Sequence, residues 1–217
     1  MKRLLALAIF GLISAGAFAQ TSKGTIVVSG TAGFSNSQNS NDPQTAELNA
    51  ISFNITPGIG YMLLDELEVG ASVGYSFNKS TQVSDDKVTG VDYTLKSNTF
   101  NYGAYAKKYF VLSERIALTG LASAVISKGE SSSEFIIQDE FRGSSETKVS
   151  NYKISLAPGA TFFLNDKAGI SASFGSLGYA KYTTKPKSGG SKSETTLVGL
   201  DLNSSTLALG FSYYISR

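Results

Sequence analysis

Strict alternation of apolar and polar residues limits the fold of this chain more than any other feature. From Leu67 to Phe77 every odd position is apolar, whereas the even positions hold only Glu, Gly and Ser. Similar alternation runs through residues 51–63, 152–164 and 207–215, and weaker versions run through 26–34, 100–112, 116–126 and 168–182. A period of two residues is typical of a strand with one apolar face. The pattern predicts eight strands and no helix after residue 19.

The connections between these strands alternate between short and long. Tight reversals are predicted around Asp65, Ser113 and residues 165–166. The other four connections, at 35–47, 79–96, 127–149 and 183–196, are long and polar, and we expect solvated loops there. The segment EFIIQDEF at 134–141 is an exception, because it could extend a hairpin or form a binding edge. Since antiparallel strands place alternate connections at opposite ends, all the short turns share one end and all the long loops share the other.

The face that is not apolar carries small residues as well as polar ones. It includes Gly58, Gly60, Gly70, Gly74, Gly103 and Gly159, with Ser72, Ser155 and Thr161. Glycine on a strand exposed to water weakens the strand, whereas the narrow interior of an eight-stranded barrel needs small residues. We therefore predict that the small residues face inward and that the bulky apolar residues face lipid.

Aromatic residues cluster at both limits of the apolar face. Ten steps from Leu67 to Phe77 span roughly 25 Å in a tilted strand, which is the height of the apolar band of an outer-membrane barrel. Such barrels carry an aromatic girdle at each interface. The predicted girdle residues are Tyr61, Phe110, Phe162 and Tyr213 near the short turns, and Phe34, Phe53, Tyr75, Phe77, Phe100, Tyr102 and Tyr152 near the long loops.

Two irregularities interrupt the predicted strands. Pro57 and Pro158 lie inside strands in the similar contexts TPGIG and APGAT, and a matching pair of β-bulges would accommodate them. In the seventh strand Leu177 and Tyr179 are one residue out of phase with Ile170. A bulge near 175–176 would restore the register.

The first residues have the pattern of an export signal. Lys2 and Arg3 precede an apolar run, and small residues at Ala17 and Ala19 favour cleavage before Gln20. The run is shorter than the roughly 20 residues of a membrane-spanning helix, so an anchor is disfavoured. The predicted domains are a signal peptide at 1–19 and a barrel domain at 20–217.

The composition of the mature chain excludes several classes of protein. Without Lys2 and Arg3, 17 of the 19 basic residues remain to balance 17 acidic ones, so no nucleic-acid partner is expected. The chain has no Cys, so no disulfide holds the fold together. Because it also has no His, Ser-His and Cys-His nucleophiles are impossible, and we expect neither enzyme activity, nor a metal, nor a cofactor. The acidic pairs Asp85-Asp86 and Asp139-Glu140 are interpreted as solvated loop residues.

One pair of charges is predicted to point inward. Glu68 on the third strand and Lys107 on the fourth lie at moderate distance above the short turns. Because a buried charge needs a partner, the two could pair with one another inside the barrel. Alternatively, Glu68 reaches water at the short-turn end.

As a whole the chain resembles the small eight-stranded outer-membrane β-barrels of the OmpA/OmpX type, barrel only. The resemblance covers the mature chain and rests on the signal peptide, eight strands, three short turns, four long loops and the terminal LALGFSYYISR. It implies an all-β, antiparallel, up-and-down transmembrane barrel with short periplasmic turns and long extracellular loops. Family barrels end on an aromatic residue that the assembly machinery reads, whereas here Ser216 and Arg217 follow Ile215. The periplasmic peptidoglycan-binding domain of OmpA is not expected here.

Three functions are compatible with these features. The first is a non-enzymatic, monomeric protein of the bacterial outer membrane, which anchors surface loops for structural, adhesive or binding roles. Its expected partners are membrane lipid and lipopolysaccharide, the barrel assembly machinery and a surface ligand. The second is a narrow pore or carrier for small solutes, which eight strands disfavour because porins use about 16. The third is a secreted soluble barrel that resembles a lipocalin.

Overall fold

The computed structural model describes residues 19–39, 47–83, 91–137, 141–201 and 208–216. A short 3-10 turn at Ala19–Thr21 precedes the strands. The strands are β1 (Ile26–Asn39), β2 (Glu47–Leu64), β3 (Leu67–Val83), β4 (Val91–Ser113), β5 (Ile116–Ile137), β6 (Phe141–Asn165), β7 (Ala168–Ser173), β8 (Ser176–Pro186), β9 (Ser193–Asp201) and β10 (Ala208–Ile215). Across these ranges no helix is long and apolar enough to cross a membrane. The predicted signal peptide, apart from Ala19, lies outside the described residues.

The strands form a closed ring of antiparallel pairs. Successive strands from β1 to β6 pair with one another, β6 pairs with both β7 and β8, and β10 pairs with β7 and with β1. β8 continues beyond the break after β7 and pairs with β9. β7 and β8 are therefore two parts of one strand, and the ring itself consists of eight strands, β1 to β6, β7 and β10. The prediction of an all-β, up-and-down barrel of eight strands is confirmed.

The three short turns lie where the sequence predicts them. Two-residue turns at 65–66, 114–115 and 166–167 join β2 to β3, β4 to β5 and β6 to β7. Each hairpin also has a register shift just before its turn. The repeated local geometry explains why the sequence repeats an aromatic residue, aliphatic residues and a polar turn at these points.

The four long connections lie at the opposite end, as the sequence predicts, but their described parts are mostly paired strands and not solvated loops. β5 and β6 pair without interruption from Ile116↔Phe162 to Ile137↔Phe141, so most of 127–149 is a hairpin. β1–β2, β3–β4 and β8–β9 also continue as pairs beyond the apolar band. A polar segment is exposed to water, but its backbone can still pair as a strand. Each hairpin continues the pairing of the two strands that reach the barrel rim. The alternative that EFIIQDEF extends a hairpin is confirmed for its described residues.

The two faces of the barrel wall are assigned as the sequence predicts. Val73 and Ile154 are 56% and 62% exposed on the outer face, whereas Thr161 is fully buried and Ser212 is 3% exposed inside. A soluble barrel would show the reverse distribution. The outer surface is therefore one that lipid, and not water, would cover.

The predicted bulges have different outcomes. The bulge near 175–176 is confirmed: β7 ends at Ser173, β8 begins at Ser176, and Gly175 has a positive φ of 72°. It lies opposite Pro158, whose carbonyl accepts a hydrogen bond from the N–H of Phe174 (3.1 Å). The prediction of a bulge at Pro57 is wrong. The ladder to β3 has no pair at Pro57, which lacks an N–H, and it resumes at Gly58↔Ser72 in the same register.

Candidate functional site

Aromatic side chains close the lumen at the short-turn end. Tyr109, Phe163 and Tyr214 are almost fully buried, and Met62 lies beside them in one apolar cluster. The rings of Tyr109 and Phe163 are 6.5 Å apart between centroids, and those of Phe163 and Tyr214 are 5.6 Å apart. We call Met62, Tyr109, Phe163 and Tyr214 the aromatic floor. Each of its members lies on the inner face of a strand close to the short-turn end.

Backbone hydrogen bonds hold the floor in place. The N–H groups of Tyr109, Phe163 and Tyr214 each donate to a carbonyl of a neighbouring short turn, at 2.8 Å, on Glu66, Arg115 and Lys167 respectively. The same pattern continues to the N-terminal segment, where Thr21 accepts from the N–H of Glu66 (2.7 Å). The turns are therefore tied into a ring beneath the floor.

Glu68 lies directly above the floor and is 1% exposed. The Tyr105 hydroxyl donates to its Oε1 and the Tyr109 hydroxyl donates to its Oε2, both at 2.6 Å. Tyr214 is 3.4 Å from the Tyr109 oxygen, so its hydroxyl can donate to Tyr109 in turn. Hydrogen bonds to an ionised acceptor are short and strong, which makes burial of this carboxylate tolerable.

Lys107 stands beside Glu68 in the register of β3 and β4, but the two do not form the direct ion pair that the sequence suggests. The Lys107 ammonium instead donates to the Ser171 hydroxyl (3.2 Å) and lies 4.7 Å from the centre of the Tyr109 ring. Both carboxylate oxygens of Glu68 instead accept from phenols. The alternative, in which Glu68 reaches water at the short-turn end, does not fit its burial either.

Glycines make room for this network. A Cβ on Gly70 would lie 2.5 Å from Cζ of Tyr105, and a Cβ on Gly60 would collide with the carboxylate of Glu68. Higher in the lumen, a Cβ on Gly103 would lie 2.8 Å from the hydroxyl of Ser72. Small residues on the inner face therefore relieve crowding, as the sequence predicts.

Above the floor the lumen contains a cavity of about 290 Å³. Hydroxyls, including those of Ser29, Thr56 and Ser72, line one side, and Leu121, Val125 and Ala157 line another. Glu68, Tyr105 and Lys107 form its lower boundary. The cavity therefore has a polar wall, an apolar wall and a charged base.

The predicted girdle residues lie on the outer face. Tyr75 packs against Phe100 with ring centroids 5.2 Å apart, and its hydroxyl donates to Asn98 (2.9 Å). Both Tyr75 and Phe77 are half-buried by their neighbours. The other predicted residues are exposed: Phe34, Phe53, Tyr61, Phe100, Tyr102, Phe110, Tyr152, Phe162 and Tyr213.

Charged residues lie on the hairpins beyond the aromatic residues of the loop end. Lys187 bridges Glu130 (2.7 Å) and Glu146 (3.0 Å). These hydrogen bonds and charges lower the pKa of Glu130 and raise the pKa of Lys187. The acidic pairs Asp85-Asp86 and Asp139-Glu140 lie outside the described residues. Within the described ranges no group of three or more acidic residues could hold a metal ion.

Sequence reasoning missed the tyrosines that hold Glu68. The sequence predicts one residue of each doublet YM, YF, FF and YY, at 61, 109, 162 and 213, as a girdle residue, and the structure places the other residue of each doublet in the floor. The doublet itself is a usable signal, because adjacent residues on a strand face opposite sides.

Comparisons with known proteins identify the family of the chain. The family model described as outer membrane protein beta-barrel domain matches residues 5–214. Among solved structures, the chain is similar to Ail, the attachment invasion locus protein of Yersinia pestis, with a TM-score of 0.34 and 15% identity over 89% of this chain and 99% of that chain. It is also similar to the outer membrane protein OprG of Pseudomonas aeruginosa, with a TM-score of 0.42 and 13% identity over 92% of this chain and 100% of that chain. No curated protein matches the sequence. Both structural scores are low, so the fold rests on the strand pairing described above.

Proposed function

Since the chain belongs to the outer membrane protein beta-barrel domain family, we propose that it is a non-enzymatic protein of the bacterial outer membrane that presents hairpins at the cell surface for a structural, adhesive or binding role. Residues 1–19 are then a cleaved signal peptide. Membrane lipid and lipopolysaccharide surround a monomeric barrel that the barrel assembly machinery inserts. A surface ligand is its further partner.

The length of the hairpins carries this proposal. β4, β5 and β6 have 23, 22 and 25 residues, whereas about 9–11 residues suffice to cross a membrane. At about 3.3 Å per residue, β6 is roughly 80 Å long, so much of it stands beyond the apolar band. Ordered strands above the membrane present a fixed surface, which favours a binding or structural role.

The location is tested by fractionation combined with gel mobility. We expect the protein in outer-membrane fractions, starting at Gln20, with a folded form that migrates differently from its boiled form. Recovery from the soluble periplasm, with one mobility before and after boiling, contradicts the proposal. The secreted lipocalin-like reading predicts that second result, and it does not fit the family to which the chain belongs.

The surface role is tested by shortening one hairpin. Replacement of 134–141 by a two-residue turn removes the tip of the β5–β6 hairpin and leaves the barrel intact. We expect reduced adhesion of cells to host or matrix surfaces. A matched variant that shortens 188–191, between β8 and β9, keeps Lys187 and controls for general loss of surface hairpins. Unchanged adhesion in the first variant argues against a role for that tip.

Conduction is the competing function, and the aromatic floor argues against it. Met62, Tyr109, Phe163 and Tyr214 fill the short-turn end. We expect no steady conductance from the purified protein in planar bilayers. As a positive control, the double variant Phe163→Ala and Tyr214→Ala empties the floor and is expected to admit ions. Conductance by the unmodified protein supports the pore instead.

A further inference from the structure

We propose that the lumen cavity above the aromatic floor is a binding site for a small carboxylate with a compact apolar body, held at its base by Lys107. This site goes beyond the proposed surface role, because it uses the inside of the barrel and none of the hairpins.

The first argument is the unequal hydrogen bonding of the two charges at the base. Glu68 already accepts two short hydrogen bonds from Tyr105 and Tyr109. Lys107 makes one hydrogen bond, to Ser171, and has a ring contact with Tyr109, although an ammonium carries three donors. Two of the three ammonium donors of Lys107 are therefore left to bind an anion, whereas each oxygen of Glu68 already accepts a hydrogen bond.

The second argument is the lining of the cavity. Leu121, Val125 and Ala157 form an apolar wall on β5 and β6, opposite the hydroxyls of Ser29, Thr56 and Ser72. Pockets of this kind bind ligands through apolar surface and a few polar groups that fix orientation. At about 290 Å³ the cavity lies at the lower end of the usual range, so the ligand is small.

The third argument concerns access. The aromatic floor and the turns beneath it close the short-turn end, so a ligand enters and leaves through the opposite mouth. A pocket that is closed at one end suits a receptor and not a channel.

Benzoate is a suitable probe, because it combines one carboxylate with a compact apolar ring. Saturation-transfer NMR on protein purified from outer membranes, in a zwitterionic detergent without carboxylates, would measure its binding. We expect saturable binding that weakens at least about tenfold for benzamide, which has the same ring and no charge.

Three variants decide the assignment. Lys107→Met removes the charge and is expected to weaken benzoate binding at least about tenfold. Val125→Phe fills the cavity without touching its base and is expected to abolish binding, so it is decisive even where Lys107→Met fails to fold. Lys108→Met is the matched control, since the Lys108 ammonium pairs with Glu66 at the short turn and lies outside the cavity lining, and binding is expected to be retained. Equal benzoate signals in the unmodified protein and Val125→Phe, or equal affinity for benzoate and benzamide, overturn the proposal.

Discussion

At the scale of single residues, the most demanding feature is a carboxylate inside an apolar, tightly packed barrel end. Glu68 is tolerated there because phenolic hydroxyls from Tyr105 and Tyr109 donate to both of its oxygens. Removal of one donor would leave part of a buried charge unsatisfied, which costs more than a neutral hydrogen bond. The network therefore fixes the relative positions of β3 and β4.

Tyr109→Phe tests the energetic role of this network. The substitution keeps the ring in the aromatic floor and removes one donor to Glu68, so we expect a loss of about 1.5–3 kcal/mol in the free energy of unfolding. Denaturant titration in lipid vesicles, followed by gel mobility, measures it. Tyr213→Phe, on the outer face, is the matched control and is expected to stay within about 0.5 kcal/mol. Equal stability of both variants would show that Glu68 does not depend on the Tyr109 hydroxyl.

Lys187 gives a pH-dependent prediction on the surface hairpins. It lowers the pKa of Glu130. The stability that this carboxylate contributes to the folded protein is therefore present above its unfolded pKa and is lost as the pH falls through its folded pKa. The pKa of Lys187 is raised. The stability that this ammonium contributes to the folded protein is therefore present below its unfolded pKa and is lost as the pH rises through its folded pKa. In Lys187→Met, NMR titration is expected to show a higher pKa for Glu130. Lys185→Met is the neighbouring control, and it is expected to preserve more of the lowering of the Glu130 pKa than Lys187→Met does. An unchanged Glu130 pKa in Lys187→Met contradicts the assignment.

At the scale of elements, irregular strands show where local sequence and ring closure conflict. The seventh strand breaks at 174–175, opposite Pro158, and its register with β6 shifts by one residue there. The shift moves Leu177 and Tyr179 onto the outer face with Ile170, where all three are exposed. A bulge thus keeps apolar residues toward lipid on both sides of the break.

Gly175→Ala tests this bulge. A side chain at a φ of 72° is strained, so we expect a loss of about 1 kcal/mol or more in unfolding free energy. Gly199→Ala on β9 is the control, because a Cβ there has no atom within 4 Å and alanine therefore introduces neither backbone strain nor a steric clash. The same vesicle titration compares the two. If Gly175→Ala is as stable as Gly199→Ala, the bulge does not need glycine.

At the scale of the whole molecule, the inverted distribution of apolar residues decides how the barrel is stabilised. The described interior holds a floor, a network and a cavity, whereas most large aliphatic residues are exposed on the outside. Such a surface is stable only where lipid covers it, and near the short turns the closed ring pairs the backbone of every strand on both sides. The stability of the folded barrel therefore depends on the surrounding lipid as well as on contacts within the protein.

Val73→Arg tests contact with lipid. Val73 lies on the outer face well within the apolar band, so we expect a loss of roughly 2–4 kcal/mol in unfolding free energy from vesicles. Val83→Arg changes the same residue type on the same face of β3, but beyond the band, and is expected to have little effect. Equal losses in the two variants would mean that lipid does not distinguish these positions.

The sequence alone determined the number of strands, the tight turns, the inner and outer faces and the bulge near 175–176. These features depend on local alternation and on the rule that adjacent strand residues face opposite sides, so they can be derived from neighbours in the chain. The tertiary structure alone decided the extent of the hairpins and the partners of Glu68 and Lys107. Those partners lie on β4 and, for Lys107, also on β7, and they meet only because closure of the ring fixes the register of each strand against the next. Periodicity specifies a face, but it does not specify which residues share a level of the lumen.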